Sequence, residues 1–212
     1  MKSYTTIQKL FAIDLRSLAL FRVSLGLAVL HSFITLSSEF RAFYTGYGIL
    51  PAGFFISQIK EFSKISIFLI NDSEPVVLLL FCLAIFATLS FIVGWKTRWS
   101  SFWMWFFLMS LHARNPFVIR GGDNLVRYLT FWCLFLPLGE RYAFDASPSS
   151  TKKIECSPAT FALMMQTCYI YLFATYFKSN CPEWLNGQGI KCALEIRESL
   201  LPFGRFLLQF QS

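Results

Sequence analysis

Apolar residues in this chain come in long runs separated by short clusters of charge, proline and glycine, and the runs have the length of membrane-crossing helices. The first extends from about Ser17 to Leu36 and the second from about Val76, just after Pro75, to Gly94; each matches the ~20 residues that cover a hydrocarbon core. Trp95-Lys96-Thr97-Arg98 then reads as a tight connection with interfacial anchors. It leads into a short aromatic third span, Trp99 to Ala113, which Arg114 and Pro116 end. A fourth span opens at the Gly121-Gly122-Asp123 turn and closes at Pro137-Leu138-Gly139, and a fifth runs from about Pro158 to Lys178. The pattern predicts an all-α integral membrane protein, a polytopic bundle of about five transmembrane helices.

Two further stretches are apolar on one side only. Residues 52–69 place Phe55, Ile59, Phe62 and Leu69 at helical spacing, with Lys60, Glu61 and Lys64 interleaved, as in a helix lying in the interface. The tail from Leu200 to Phe210 is apolar but interrupted by Pro202 and Gly204, and is expected to lie on the membrane as well.

Composition changes this picture little and narrows the function classes. The 212 residues are 55% hydrophobic and only 15% charged, which excludes an ordinary soluble domain and favours a single membrane domain over residues 1–212, with no linker. The first eight residues lack an apolar core and a cleavage site, so the first span is expected to direct insertion itself. The net charge of +7 is scattered one to three residues per loop, so the expected partner is the lipid bilayer and not nucleic acid. Charge leaves the orientation tied: with the N-terminus inside, the basic residues outside the spans divide equally between the two sides. The two histidines and six cysteines show no metal-ligand spacing, and Cys82, Cys133 and Cys168 read as small hydrophobes within apolar runs.

The candidate chemistry lies in polar groups placed where they are costly. Arg22 sits about a turn and a half into the first span and needs either a carboxylate or several carbonyls; Asp123 is the best acidic candidate. That pair would lock two helices together, and a substrate anion is the other reading. His31, on the opposite side of the same helix, reads as a hydrogen-bonded core residue. Asp123 after Gly121 and Gly122 suits a helix N-cap, with Arg127 four residues on as a partner, and the glycines would also let a ligand approach backbone N–H groups. Lys178 closes the last apolar run and has two readings. It either snorkels to the headgroups, or is buried and held neutral by desolvation, and so becomes a base. Thr167, Tyr171, Ala174 and Lys178 share one helix face, the small or polar stripe expected to turn toward the bundle.

Five local motifs stand in a recognisable order: Asp14 to Arg22, Phe43-Tyr44-Thr45-Gly46-Tyr47-Gly48-Ile49-Leu50-Pro51, Arg114-Asn115-Pro116, Gly121-Gly122-Asp123 and Phe131 to Gly139. Over roughly residues 10 to 195 the chain resembles the HTTM (horizontally transferred transmembrane) family, the membrane domain of vitamin K-dependent gamma-glutamyl carboxylases and of many bacterial proteins. Tyr171 to Lys178, followed by Trp184 and Gly187, looks like the carboxylase segment that bears its catalytic lysine, and Lys178 falls on that lysine.

The resemblance implies a multi-helix bundle with a cytoplasmic N-terminus, here in a bacterial inner membrane. It also implies carboxylase/epoxidase-like, lyase-type chemistry on a reduced quinone of vitamin K type, in which a neutral Lys178 takes the phenolic proton. Tyr171, one or two helical turns away, is expected to donate to a bound oxygen. No large extramembrane part is expected, so peptide carboxylation is not. The leading expectation is a membrane protein acting on a quinol or lipid-like substrate. Its rivals are a non-catalytic subunit or assembly factor of a larger membrane complex, with a membrane-protein partner, and a carrier of a small anion past Arg22 and Arg127. With an odd number of spans, Cys181 and Cys192 share an oxidising compartment around Trp184, and a disulfide between them is expected.

Overall fold

A computed structural model of the chain describes residues 10–49, 51–58, 66–119, 121–146 and 153–189. Its helices are α1 (Leu15–Ser38), α2 (Phe40–Tyr44), α3 (Ala52–Gln58), α4 (Glu74–Val93), α5 (Thr97–Arg114), α6 (Gly121–Trp132), α7 (Pro158–Ser179) and α8 (Pro182–Leu185). Two 3-10 turns, Ile67–Leu69 and Pro116–Val118, and an antiparallel pairing of β1 (Ile13–Asp14) with β2 (Ile154–Glu155) complete the described elements. The all-α class read from the sequence is what the chain adopts. Helices α1 and α4 are long and apolar enough to cross a membrane, with mean hydropathy 1.7 and 3.0.

The ends of these helices follow from local chemistry. Asp14 accepts from the Arg16 N–H at 2.7 Å and so caps α1. Pro75 occupies the first turn of α4, where its missing N–H costs nothing, and Gly94 ends the helix in the left-handed conformation, φ 84°, donating back to Ser90 and Phe91 carbonyls. Lys96 is also left-handed, φ 44°, so the chain reverses within a few residues and α5 returns alongside α4. Ser157 and Thr160 exchange side-chain to backbone hydrogen bonds that close the start of α7.

The chain divides into two compact units, Met1–Leu163 and Met164–Ser212. In the first, α1 and α5 pack on either side of α4, and α6 adds to the α5 and α1 faces. Close approach depends on small residues: a Cβ at Gly26 would lie 2.5 Å from Ile92 Cγ1, and Ala84 is fully buried. Near one end Tyr44, Phe68 and Phe81 form a buried aromatic cluster with ring centroids 5.5–5.9 Å apart.

Two elements depart from the sequence reading. The fourth span does not continue to Gly139; α6 ends at Trp132 and residues 133–146 run as turns. Pro137 disfavours helix at Leu136, and the carbonyls of this segment are drawn to Arg22 instead. Nor is 52–69 one interfacial helix throughout: among the described residues α3 covers Ala52–Gln58, and Ser66 starts a 3-10 turn by accepting from Phe68 N–H while its hydroxyl donates to the Ser110 carbonyl. That anchor turns Phe68 into the core. Ile59, Lys60, Glu61, Phe62, Lys64 and the tail from Leu200 to Phe210 lie outside the described residues.

Candidate functional site

Polar side chains concentrate at the two ends of the first unit. At one end Arg22, 1% exposed, donates from Nη1 to the Leu138 carbonyl at 2.7 Å and from Nη2 to the Tyr142 carbonyl. The expected Arg22–Asp123 pair does not form. A helix of 24 residues puts Arg22 near its start, whereas Asp123 lies beside the other end, so the guanidinium is neutralised by main-chain dipoles of the segment after α6. Gly94 makes room for this: a Cβ there would stand 2.8 Å from Arg22 Nη1 and 2.5 Å from Ala143 Cβ. The segment is held further by Phe144 N–H donating to the Val93 carbonyl and by Asp145 accepting from Lys96 N–H.

The opposite end holds a pocket of about 200 Å³. Helix α1 supplies His31, Ser32 and Thr35 to its wall, α2 supplies Tyr44, α5 supplies His112, the following turn supplies Asn115, and α6 supplies Asp123. His31 is therefore not a core residue as the sequence suggested; it is exposed and faces this space. Tyr44, His112 and Asn115 are at most 5% exposed, an unusual set to bury in so apolar a chain. Asn115 is locked by accepting from Phe117 N–H. Among the described residues no group bonds His112 Nδ1. Burial pushes the Tyr44 phenol well above its usual range; Arg114 opposes this and Asp123 adds to it, so Tyr44 stays a neutral hydroxyl.

Asp123 is the third residue of α6 and not its N-cap, because the helix already begins at Gly121. Its carboxylate still opposes the helix dipole from the first turn. Gly121 and Gly122 have open space where a Cβ would stand, so no packing constraint requires glycine there. Arg127 lies one turn on, its guanidinium 5.4 Å from the Tyr128 ring centre.

In the second unit Lys178 is exposed at the end of α7, with its ammonium 4.4 Å from the centre of the Trp184 ring. The expected apolar enclosure is not found. The ammonium thus stands over an indole face and at the C-terminal end of a helix, two places where a cation interacts favourably. The stripe is likewise exposed at Thr167 and at Tyr171, which is 72% accessible. Cys181 is a free thiol in contact with Glu183 Oε2 at 2.9 Å, and that bond holds the exposed Glu183 carboxyl below its usual range. Cys192 lies outside the described residues. Among the described residues no group of His, Cys, Asp and Glu is arranged to hold a metal ion.

Sequence reading thus missed Tyr44 and His112 as site residues. The available signal was an imidazole near the last turn of an otherwise aromatic span, next to the Arg114-Asn115-Pro116 motif. Comparison of the chain with family models, with curated proteins and with solved structures gave no match.

Proposed function

We propose that the chain is an HTTM-like integral membrane protein of about five spans, N-terminus cytoplasmic, that binds a small molecule carrying a hydroxyl or phenol oxygen, of quinol type, in the pocket between His31, His112 and Asp123. The observation that carries this is His112: 5% exposed, lining a pocket, with Nδ1 bonded by no described residue. A buried polar atom left unpaired costs about 1–3 kcal/mol, a cost that a bound oxygen would remove. An imidazole beside a carboxylate can take a proton from that oxygen, and the neutral Tyr44 hydroxyl can donate to a second one. In this reading proton acceptance falls to His112 with Asp123, and not to Lys178, whose ammonium Trp184 holds.

The test is binding and turnover of a reduced naphthoquinone by purified wild type, His112→Gln, Asp123→Asn and Lys178→Met. A loss of about 100-fold in the first two variants, with Lys178→Met near wild type, is expected. The opposite pattern would restore the lysine base and overturn the pocket reading.

A second reading, a non-catalytic subunit or assembly factor, draws on α7, where Tyr169, Tyr171, Phe173, Tyr176 and Phe177 are all more than half exposed. Tyrosine hydroxyls on two opposite faces of one helix, Tyr169 and Tyr176 on one and Tyr171 on the other, fit a protein partner better than acyl chains. A stoichiometric partner co-purifying in mild detergent, lost on Tyr171→Leu, would favour it.

A further inference from the structure

On the outer side of the α4–α5 hairpin, away from the His31 pocket, lies a second concavity of about 320 Å³. One wall is the face of α5 that carries Trp99, Trp103 and Phe107 on successive turns, and the other is Leu83, Phe86 and Ser90 of α4. The floor is made of Ala87 and Ser100, both buried and small, and it is these that leave the space. The two serines do not make it polar: Ser90 donates to the Phe86 carbonyl at 2.8 Å and Ser100 to the Thr97 carbonyl at 3.1 Å, so each hydroxyl is consumed by its own helix. At the mouth stands Lys96, exposed, its ammonium 5.7 Å from the Trp95 ring centre. Asp145 is bonded to the backbone N–H of Lys96, not to its ammonium.

We propose that this groove binds one anionic phospholipid, with an acyl chain along the Trp99–Trp103–Phe107 face and the phosphate at Lys96. The proposal rests on membrane residence alone and is independent of the His31 pocket. Three features select this occupant. The groove runs from a Trp–Lys interfacial turn inward for about 12 Å, the rise of eight helical residues, which is the path of an acyl chain from headgroup level into hydrocarbon. The surface it presents below the mouth is almost entirely apolar, so a polar ligand would gain little there. Its one charge is positive and set at headgroup depth, which complements a phosphate whose headgroup adds no compensating cation.

The experiment purifies the full chain in mild detergent with an equimolar mixture of phosphatidylglycerol and phosphatidylcholine of identical acyl chains, and measures the lipid retained per chain by mass spectrometry. Wild type is expected to retain phosphatidylglycerol over phosphatidylcholine by about fivefold, the factor that ~1 kcal/mol per near-surface lysine gives. Lys96→Asn, which tolerates the left-handed backbone, is expected to bring the ratio to unity with an unchanged melting temperature. Ser90→Phe, filling the groove from a half-buried position, is expected to lower retention of both lipids. Equal retention by wild type, a preference that survives Lys96→Asn, or undiminished retention by a folded Ser90→Phe would each overturn the proposal.

Discussion

The two ends of the first unit use polar groups in opposite ways. At the Arg22 end both terminal guanidinium nitrogens donate to main-chain carbonyls, with only Nε bonded by no described residue, and a left-handed glycine lets the chain close around them. At the His31 end Tyr44, His112 and Asp123 converge on a pocket and leave an imidazole nitrogen that no described residue bonds. The contrast gives a criterion. A buried charge that is held by backbone carbonyls and does not itself line a pocket reads as architecture, whereas polar side chains that converge on space read as a site.

Stability measurements can break or sharpen that distinction. Arg22→Met should cost about 3 kcal/mol in a detergent unfolding assay, because two charge-assisted hydrogen bonds are lost and the Leu138 and Tyr142 carbonyls lose their donor. A wild-type unfolding midpoint would remove the architectural reading. Gly94→Val should cost roughly 2 kcal/mol, since a β-branched residue is strained at φ 84° and its Cβ would overlap Ala143. If it melted like wild type, the segment after α6 would not be clamped as described.

At the other end the effects should be smaller. Tyr44 is raised in the folded state, so the unfolded chain gives up this proton first, near pH ~10, and folding stability falls as pH rises past that value. Between about pH 9.5 and 11 wild type should lose ~1 kcal/mol more than Tyr44→Phe. Parallel pH profiles for the two proteins would place the phenol in water. Asp123→Asn should cost less than Arg22→Met, because its carboxylate faces the pocket, while abolishing binding there. A loss as large as that of Arg22→Met would make Asp123 structural too.

How much was legible beforehand differs by residue. Runs such as Val76–Val93 needed only composition and a proline and glycine at their limits, so α4 could be read almost to its ends. Arg22 was recognised as needing carbonyls or a carboxylate, but the choice depended on which chain segment returned to its level of the bundle. The fourth span was overextended because apolar character between Cys133 and Leu138 cannot distinguish a helix from turns that bury their side chains around an arginine. The surroundings of Lys178 were not legible, because they depend on an indole six residues on that the turn into α8 brings back beside the ammonium.

The sequence by itself determined the helical class, the two long apolar helices, the tight α4–α5 turn and Arg22 as a costly buried charge. These depend on hydrophobic period, run length and the backbone limits of proline and glycine, all local quantities. Tertiary structure decided which polar groups meet. His31, Tyr44, His112 and Asp123 come from four helices and as much as 92 residues apart in the chain, and only packing sets them around one space. The same packing removed Arg22 from that company, because along a rigid helix of 24 residues the two ends cannot share a site.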